Sequence, residues 1–126
     1  VLQSELKAAQ NGAPVYSYWF GWKTPVLDGR PLAYHCQDLA FWFDNIDLAA
    51  QATGGTADAR SLASKMSAAL VAFTKTGNPN HPGLPAWPSY TTAVRSTMVF
   101  KNERVTVKND PDKDAMAFSN GFSANL

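Results

Sequence analysis

The chain has 126 residues and a formal net charge of +1, from Lys+Arg 11 against Asp+Glu 10. The length suits one ordinary domain, and the near-balance of charge excludes the broad basic surface that a nucleic-acid binder needs. Hydrophobic residues at 45% exclude disorder, while charged residues at 17%, against roughly 25% in an average soluble domain, suggest that part of the surface meets other protein.

Taken in order, Val1-Leu2-Gln3-Ser4-Glu5-Leu6-Lys7-Ala8-Ala9 are good helix formers that stop at Asn11-Gly12. Nothing before Val1 caps them, so the run reads as the tail of a helix that begins outside the chain. Val15 to Trp22 is aromatic and β-branched without polar alternation, the pattern of a strand buried on both faces. Lys23 to Pro31 holds two prolines and Asp28-Gly29, hence a loop. Leu32 to Asn45 reads as a turn followed by a short helix, and the polar, glycine-containing stretch Gln51 to Thr56 as a flexible connection.

From Asp58 to Thr76, Leu62, Met66, Ala69, Leu70 and Phe73 share one helical face, with Thr56 or Asp58 as cap and Gly77 as stop. Asn78 to Pro88 carries four prolines and excludes regular structure. Thr97–Phe100 and Val105–Val107 read as short strands about a Lys101–Arg104 turn, and a last helix starts after Asp110-Pro111. The fold class is therefore α/β. A strand buried on both faces needs neighbours on both sides, and the remaining chain offers too few.

The residues exclude most chemistries. One cysteine allows no internal disulfide and favours a chain that works without them, as in the cytoplasm, with secretion left open. No apolar run nears the ~20 residues of a membrane span, and no targeting pattern is visible at the start. Two separated histidines and one cysteine make no recognisable metal spacing, and no phosphate-binding glycine loop occurs, so no cofactor is expected. The aromatics of 16–22 and 41–43 lack interleaved Lys/Arg and read as core rather than a base-stacking platform.

His81 sits in an exposed-looking proline loop and reads as a surface residue. Cys36 reads as a small packed neighbour of His35, and Asp28, Asp44 and Asp47 as solvated or capping groups. His35 lies where a loop meets an aromatic helix, at whose positive end a ring stays available as a base, and Asp38 is placed to cap that helix. Spacing alone leaves two readings of His35 open, a satisfied structural histidine, which such positions more often hold, and a catalytic one.

Tyr34-His35-Cys36-Gln37-Asp38-Leu39-Ala40-Phe41-Trp42-Phe43-Asp44-Asn45 resembles the catalytic-histidine segment of type-B carboxylesterases, the family of bacterial para-nitrobenzyl esterases and cholinesterases. Further pieces follow in the family's order: Val15-Tyr16-Ser17-Tyr18 with Phe20-Gly21-Trp22 as the strand before the histidine loop, then Phe73-Thr74-Lys75-Thr76-Gly77-Asn78-Pro79-Asn80, Trp87-Pro88-Ser89-Tyr90, Met98-Val99-Phe100 and Asn109-Asp110-Pro111. Cys36 departs from the usual glycine or alanine.

The resemblance implies the C-terminal portion of an α/β-hydrolase fold spanning 1–126, incomplete by itself, with His35 as the catalytic base of a Ser–Glu/Asp–His triad and Asp38 as a supporting acid outside the triad. The triad order Ser, acid, His places nucleophile and acid upstream, and no GxSxG occurs here; Ser17, Ser61, Ser64, Ser67 and Ser89 all lack it. The implied partners are a small-molecule ester and the remaining N-terminal part of the esterase. Two other classes stay open on the residues: a non-catalytic, cholinesterase-like adhesion protein, and an independent small interaction domain.

Overall fold

The computed structural model describes residues 2–123. Strands form where aromatic and β-branched residues concentrate: β1 (Ser17–Gly21), β2 (Ser96–Lys101) and β3 (Val105–Asn109). β1 runs parallel to β2, pairing Ser17 with Thr97 and Phe20 with Phe100, and β2 runs antiparallel to β3, pairing Met98 with Val107. β2 is central, with Ser96 to Phe100 all buried. At the hairpin tip the Asn102 side chain accepts from the Lys23 N–H (2.6 Å) and donates to the Lys23 carbonyl (2.7 Å), extending the grip of the hairpin past the end of β1.

The expectation of a strand from Val15 to Trp22 buried on both faces needs correction. The strand is shorter, and Tyr18 (41%) and Trp19 (47%) are exposed. Tyr18 and Trp19 point to opposite faces, so each face of β1 is only partly covered, and among the described residues no strand pairs with its outer edge.

The helices are α1 (Leu2–Ala9), α2 (Asp38–Trp42), α3 (Ala50–Thr53), α4 (Ala57–Thr76) and α5 (Lys113–Ser123), and Val26–Gly29 is a turn with Leu27 and Asp28 at positive φ. α4 carries its own punctuation. The Thr56 hydroxyl accepts from the Ala59 N–H (3.1 Å), and Gly77, at φ 74, donates its N–H to the Phe73 carbonyl (2.7 Å). Leu62, Met66 and Ala69 are buried, as their spacing requires. The core is aromatic. Phe41 meets Phe20 at 5.0 Å and Trp22 at 5.3 Å, while Phe100 meets Trp42 at 5.7 Å and Trp87 at 5.8 Å, in edge or tilted geometries.

Two loop readings are overturned by tertiary bonds. The stretch Gln51 to Thr56 is no loose connection, because its first three residues belong to α3. The buried indole of Trp22 donates to the Thr53 carbonyl (3.1 Å), and Thr53 Oγ1 donates to the Ala49 carbonyl (3.1 Å). His81 is a half-buried staple rather than a surface residue. The Gly83 N–H donates to His81 Nδ1 (3.1 Å), which places the ring proton on Nε2, and Nε2 donates to the Lys65 carbonyl of α4 (3.0 Å). The same proline loop is closed by Asn80, whose amide donates to the Trp87 carbonyl (2.8 Å) and accepts from the Trp87 N–H (2.6 Å).

α1 is held differently. It buries no residue, and its Glu5 pairs with Arg95 (2.5 Å), which also pairs with Asp110 (3.2 Å) at the far end of β3.

Gly54 follows α3 at φ 88, and a Cβ there would run into the Pro25 ring. We expect Gly54→Ala to cost about 2 kcal/mol or more, from the left-handed backbone and the forced overlap together. Urea denaturation of the two proteins measures it.

Candidate active site around His35

His35 and Cys36 are the middle of a turn closed by the Gln37 N–H donating to the Tyr34 carbonyl (3.2 Å). The turn leads directly into α2, whose N-cap position is Gln37. His35 is exposed, and its ring makes no hydrogen bond to any described residue. α2 has only five residues, so few peptide dipoles stand behind the turn.

Cys36 is exposed rather than packed, correcting the sequence expectation, because the turn holds its backbone at φ 63 and swings the side chain outward. Left-handed backbone is where glycine belongs, which accounts for the glycine common at this position of the resembled motif. We expect Cys36→Gly to leave stability equal or higher by about 1 kcal/mol, and Cys36→Val to lower it by about 1–2 kcal/mol. Melting temperatures of the three proteins check the order.

Asp38 does not cap α2. It is the first helical residue, and its Oδ2 accepts from the Tyr18 hydroxyl (2.8 Å). That bond crosses from α2 to β1, between residues twenty apart in sequence. The structure therefore brings Asp38 to Tyr18, and no hydrogen bond joins Asp38 to the His35 ring. Asp28 pairs with Arg30 (3.2 Å) and Asp47 with Arg60 (2.7 Å), both on the surface, and Asp44 is exposed.

Partial burial raises the Tyr18 hydroxyl above its ordinary pKa of 10.0, and the bond to the Asp38 carboxylate adds to it, with an opposing effect of Trp42. The folded protein thus keeps this proton more tightly than the unfolded chain. The stabilisation is complete below the ordinary value and is lost as pH rises through the folded one. We expect stability to fall as pH rises past about 10, and less steeply in Tyr18→Phe. Tyr90, raised mainly by burial, accounts for slope that remains. Melting across that range decides, and identical slopes would count against the coupling.

Beside the site, Tyr16, Tyr18, Leu39, Trp42, Phe73 and Trp87 line an apolar hollow of about 350 Å³. Leu39 lies one turn along from His35, and His35 itself is outside the lining. Exposed Tyr18, Trp19 and Phe43 show that the sequence expectation of an all-core aromatic set holds only for part of it, Phe41 and Trp22 above all. Two residues of the turn went unnoticed in the sequence. Tyr34 and Gln37 flank His35, and both side chains reach the Ala52 carbonyl of α3. No spacing signal links residues 34 and 37 to 52. Among the described residues no cluster of His, Cys, Asp and Glu is arranged to hold a metal ion, and no helix is long and apolar enough to cross a membrane.

Comparison with known proteins bears on the same region. A family model described as the carboxylesterase family matches residues 1–119. The phenmedipham hydrolase of Pseudarthrobacter oxydans is 31% identical over 101 residues, covering 77% of this chain and 20% of that protein. Among solved structures, an esterase from anaerobic Clostridium hathewayi, described as able to hydrolyse aliphatic aromatic polyesters, superposes with a TM-score of 0.75 at 34% identity, over 84% of this chain and 20% of its own. A Geobacillus stearothermophilus carboxylesterase superposes with a TM-score of 0.75 at 32% identity, over 90% and 23%. The chain thus spans about one fifth of the length of the proteins it matches.

Proposed function

The chain belongs to the carboxylesterase family and carries part of its α/β-hydrolase fold, and from that premise we propose that it is the C-terminal segment of a serine carboxylesterase, with His35 as the general base. The observation that carries the reading is the placement of His35: in an exposed turn, with both ring nitrogens free of described partners, beyond the end of the strand that lies at the open edge of the sheet.

In this reading the nucleophilic serine, its GxSxG elbow, the oxyanion donors and the triad acid come from the remaining N-terminal part of the esterase. His35 takes the serine proton as the hydroxyl oxygen attacks the ester carbonyl, then returns it to the departing alcohol. Water repeats the cycle on the acyl-serine, with His35 again accepting a proton. The substrate is a small-molecule carboxylic ester. Asp38 supports the site from outside the triad, tying the base of the His35 turn to β1 through Tyr18. The outer edge of β1 and the aromatic hollow are surfaces on which the upstream part would rest, which also suits the low fraction of charged residues. Residues 1–126 act as a segment of a larger hydrolase domain, and alone they hydrolyse nothing specifically, since nucleophile and oxyanion donors are elsewhere.

The test is hydrolysis of para-nitrophenyl acetate by the complete esterase. We expect His35→Ala to lower kcat about 10⁴-fold or more while the protein stays folded. Equal turnover by the two enzymes would remove His35 as the base, whereas no turnover by either would favour a binding protein in which this histidine is unused.

A further inference from the structure

We infer that Tyr34 and Gln37 are positioning residues for His35, holding its turn by a shared clamp on one backbone atom, the Ala52 carbonyl oxygen. The inference rests on the proposed role of His35 as base. General-base catalysis needs the ring held in a near-attack geometry, and a misplacement of about 1 Å costs on the order of 10²-fold. The turn that carries His35 is exposed and contains a left-handed residue, Cys36. Its own closing bond, from the Gln37 N–H to the Tyr34 carbonyl (3.2 Å), shapes the turn without anchoring it to the rest of the fold.

Besides the Asp38–Tyr18 bond at the base of the turn, a second anchor comes from the two side chains that bracket it. Tyr34 Oη and Gln37 Nε2 each donate to the Ala52 oxygen at 3.4 Å. Each bond is long, so neither fixes the turn alone. Converging from both ends of the turn on one acceptor, they restrain its translation and its tilt together. The acceptor is itself tied to the sheet, because the next carbonyl, that of Thr53, receives the buried Trp22 indole (3.1 Å), and Trp22 follows directly on β1. A path from sheet to base therefore runs through Trp22, α3, Ala52, the clamp and His35, beside the shorter one through Tyr18 and Asp38.

Gln37 shows that the clamp is more than filling. The residue is 3% exposed, yet its Oε1 has no hydrogen-bond partner. Burying an unpaired amide oxygen is unfavourable, and an apolar side chain of the same size would fill the space without it. The bond made by Nε2 is what such a replacement would lose.

The experiment uses the complete esterase and para-nitrophenyl acetate, with Tyr34→Phe, Gln37→Met and the pair, each in the wild-type and the His35→Ala background. We expect each single variant to lower kcat about 3- to 10-fold and the pair about 10- to 100-fold, with KM within about twofold. A residue that acts through His35 loses its effect when His35 is gone, so the same substitutions leave the residual rate of His35→Ala unchanged. An unchanged kcat in the pair, with His35→Ala inactive, overturns the clamp and leaves the base assignment intact. An equal loss in both backgrounds makes the effect structural and overturns it as well. Full activity of His35→Ala removes the base reading itself. Tyr34→Phe keeps the ring in place, so it carries the test should Gln37→Met fail to fold.

Discussion

Two parallel strands cannot be joined by a tight turn, and β1 and β2 are parallel neighbours. The whole run from Trp22 to Arg95 is therefore a crossover, obliged to leave one end of the sheet and return to the other. That single constraint distributes everything else. The His35 turn falls at the outset of the crossover, α2 and α3 follow it, α4 packs against α2, and the proline loop delivers the chain to β2. Each piece is held by a partner far away in sequence: Trp22 to Thr53, His81 to Lys65, and Trp87, whose indole donates to the Ser17 carbonyl (3.2 Å).

Seen this way the aromatic core is the crossover's fastening. Phe41 of α2 packs on Trp22 from the exit of β1, Phe100 of β2 packs on Trp87 from the proline loop, and all four belong to one buried cluster. The site inherits its rigidity from this arrangement. α2 is too short to be stable by propensity, and its burial of Phe41 against the sheet supplies what five residues of helix do not.

What was legible in the sequence is what short-range physics decides. α4 announced itself through periodicity, the Thr56 cap and the Gly77 stop, and the hairpin through two β-rich runs about a polar turn. The proline loop also followed from composition. What failed in each case depended on a remote partner. Gln51–Thr53 looked like linker because nothing nearby reveals the Trp22 indole that orders it. His81 looked solvated because its acceptor is on α4. Asp38 looked like a cap because a carboxylate at a helix start usually is one, whereas Tyr18 claims it across the layer. The family could be read from motif order, and the position of His35 at the head of α2 with it. The bond of Tyr34 and Gln37 to Ala52 left no trace in spacing.

The attachment of α1 has a consequence of another kind. No residue of this helix is fully buried, and among the described residues Glu5 pairs with the hairpin through Arg95, which Asp110 shares. The core is insensitive to ionic strength, being apolar, but a contact of this kind is screened as salt rises, partly shielded though it is. The first helix and the rest of the molecule therefore answer to different solvents: denaturant governs the one layer, and dissolved ions govern how closely the other lies against it.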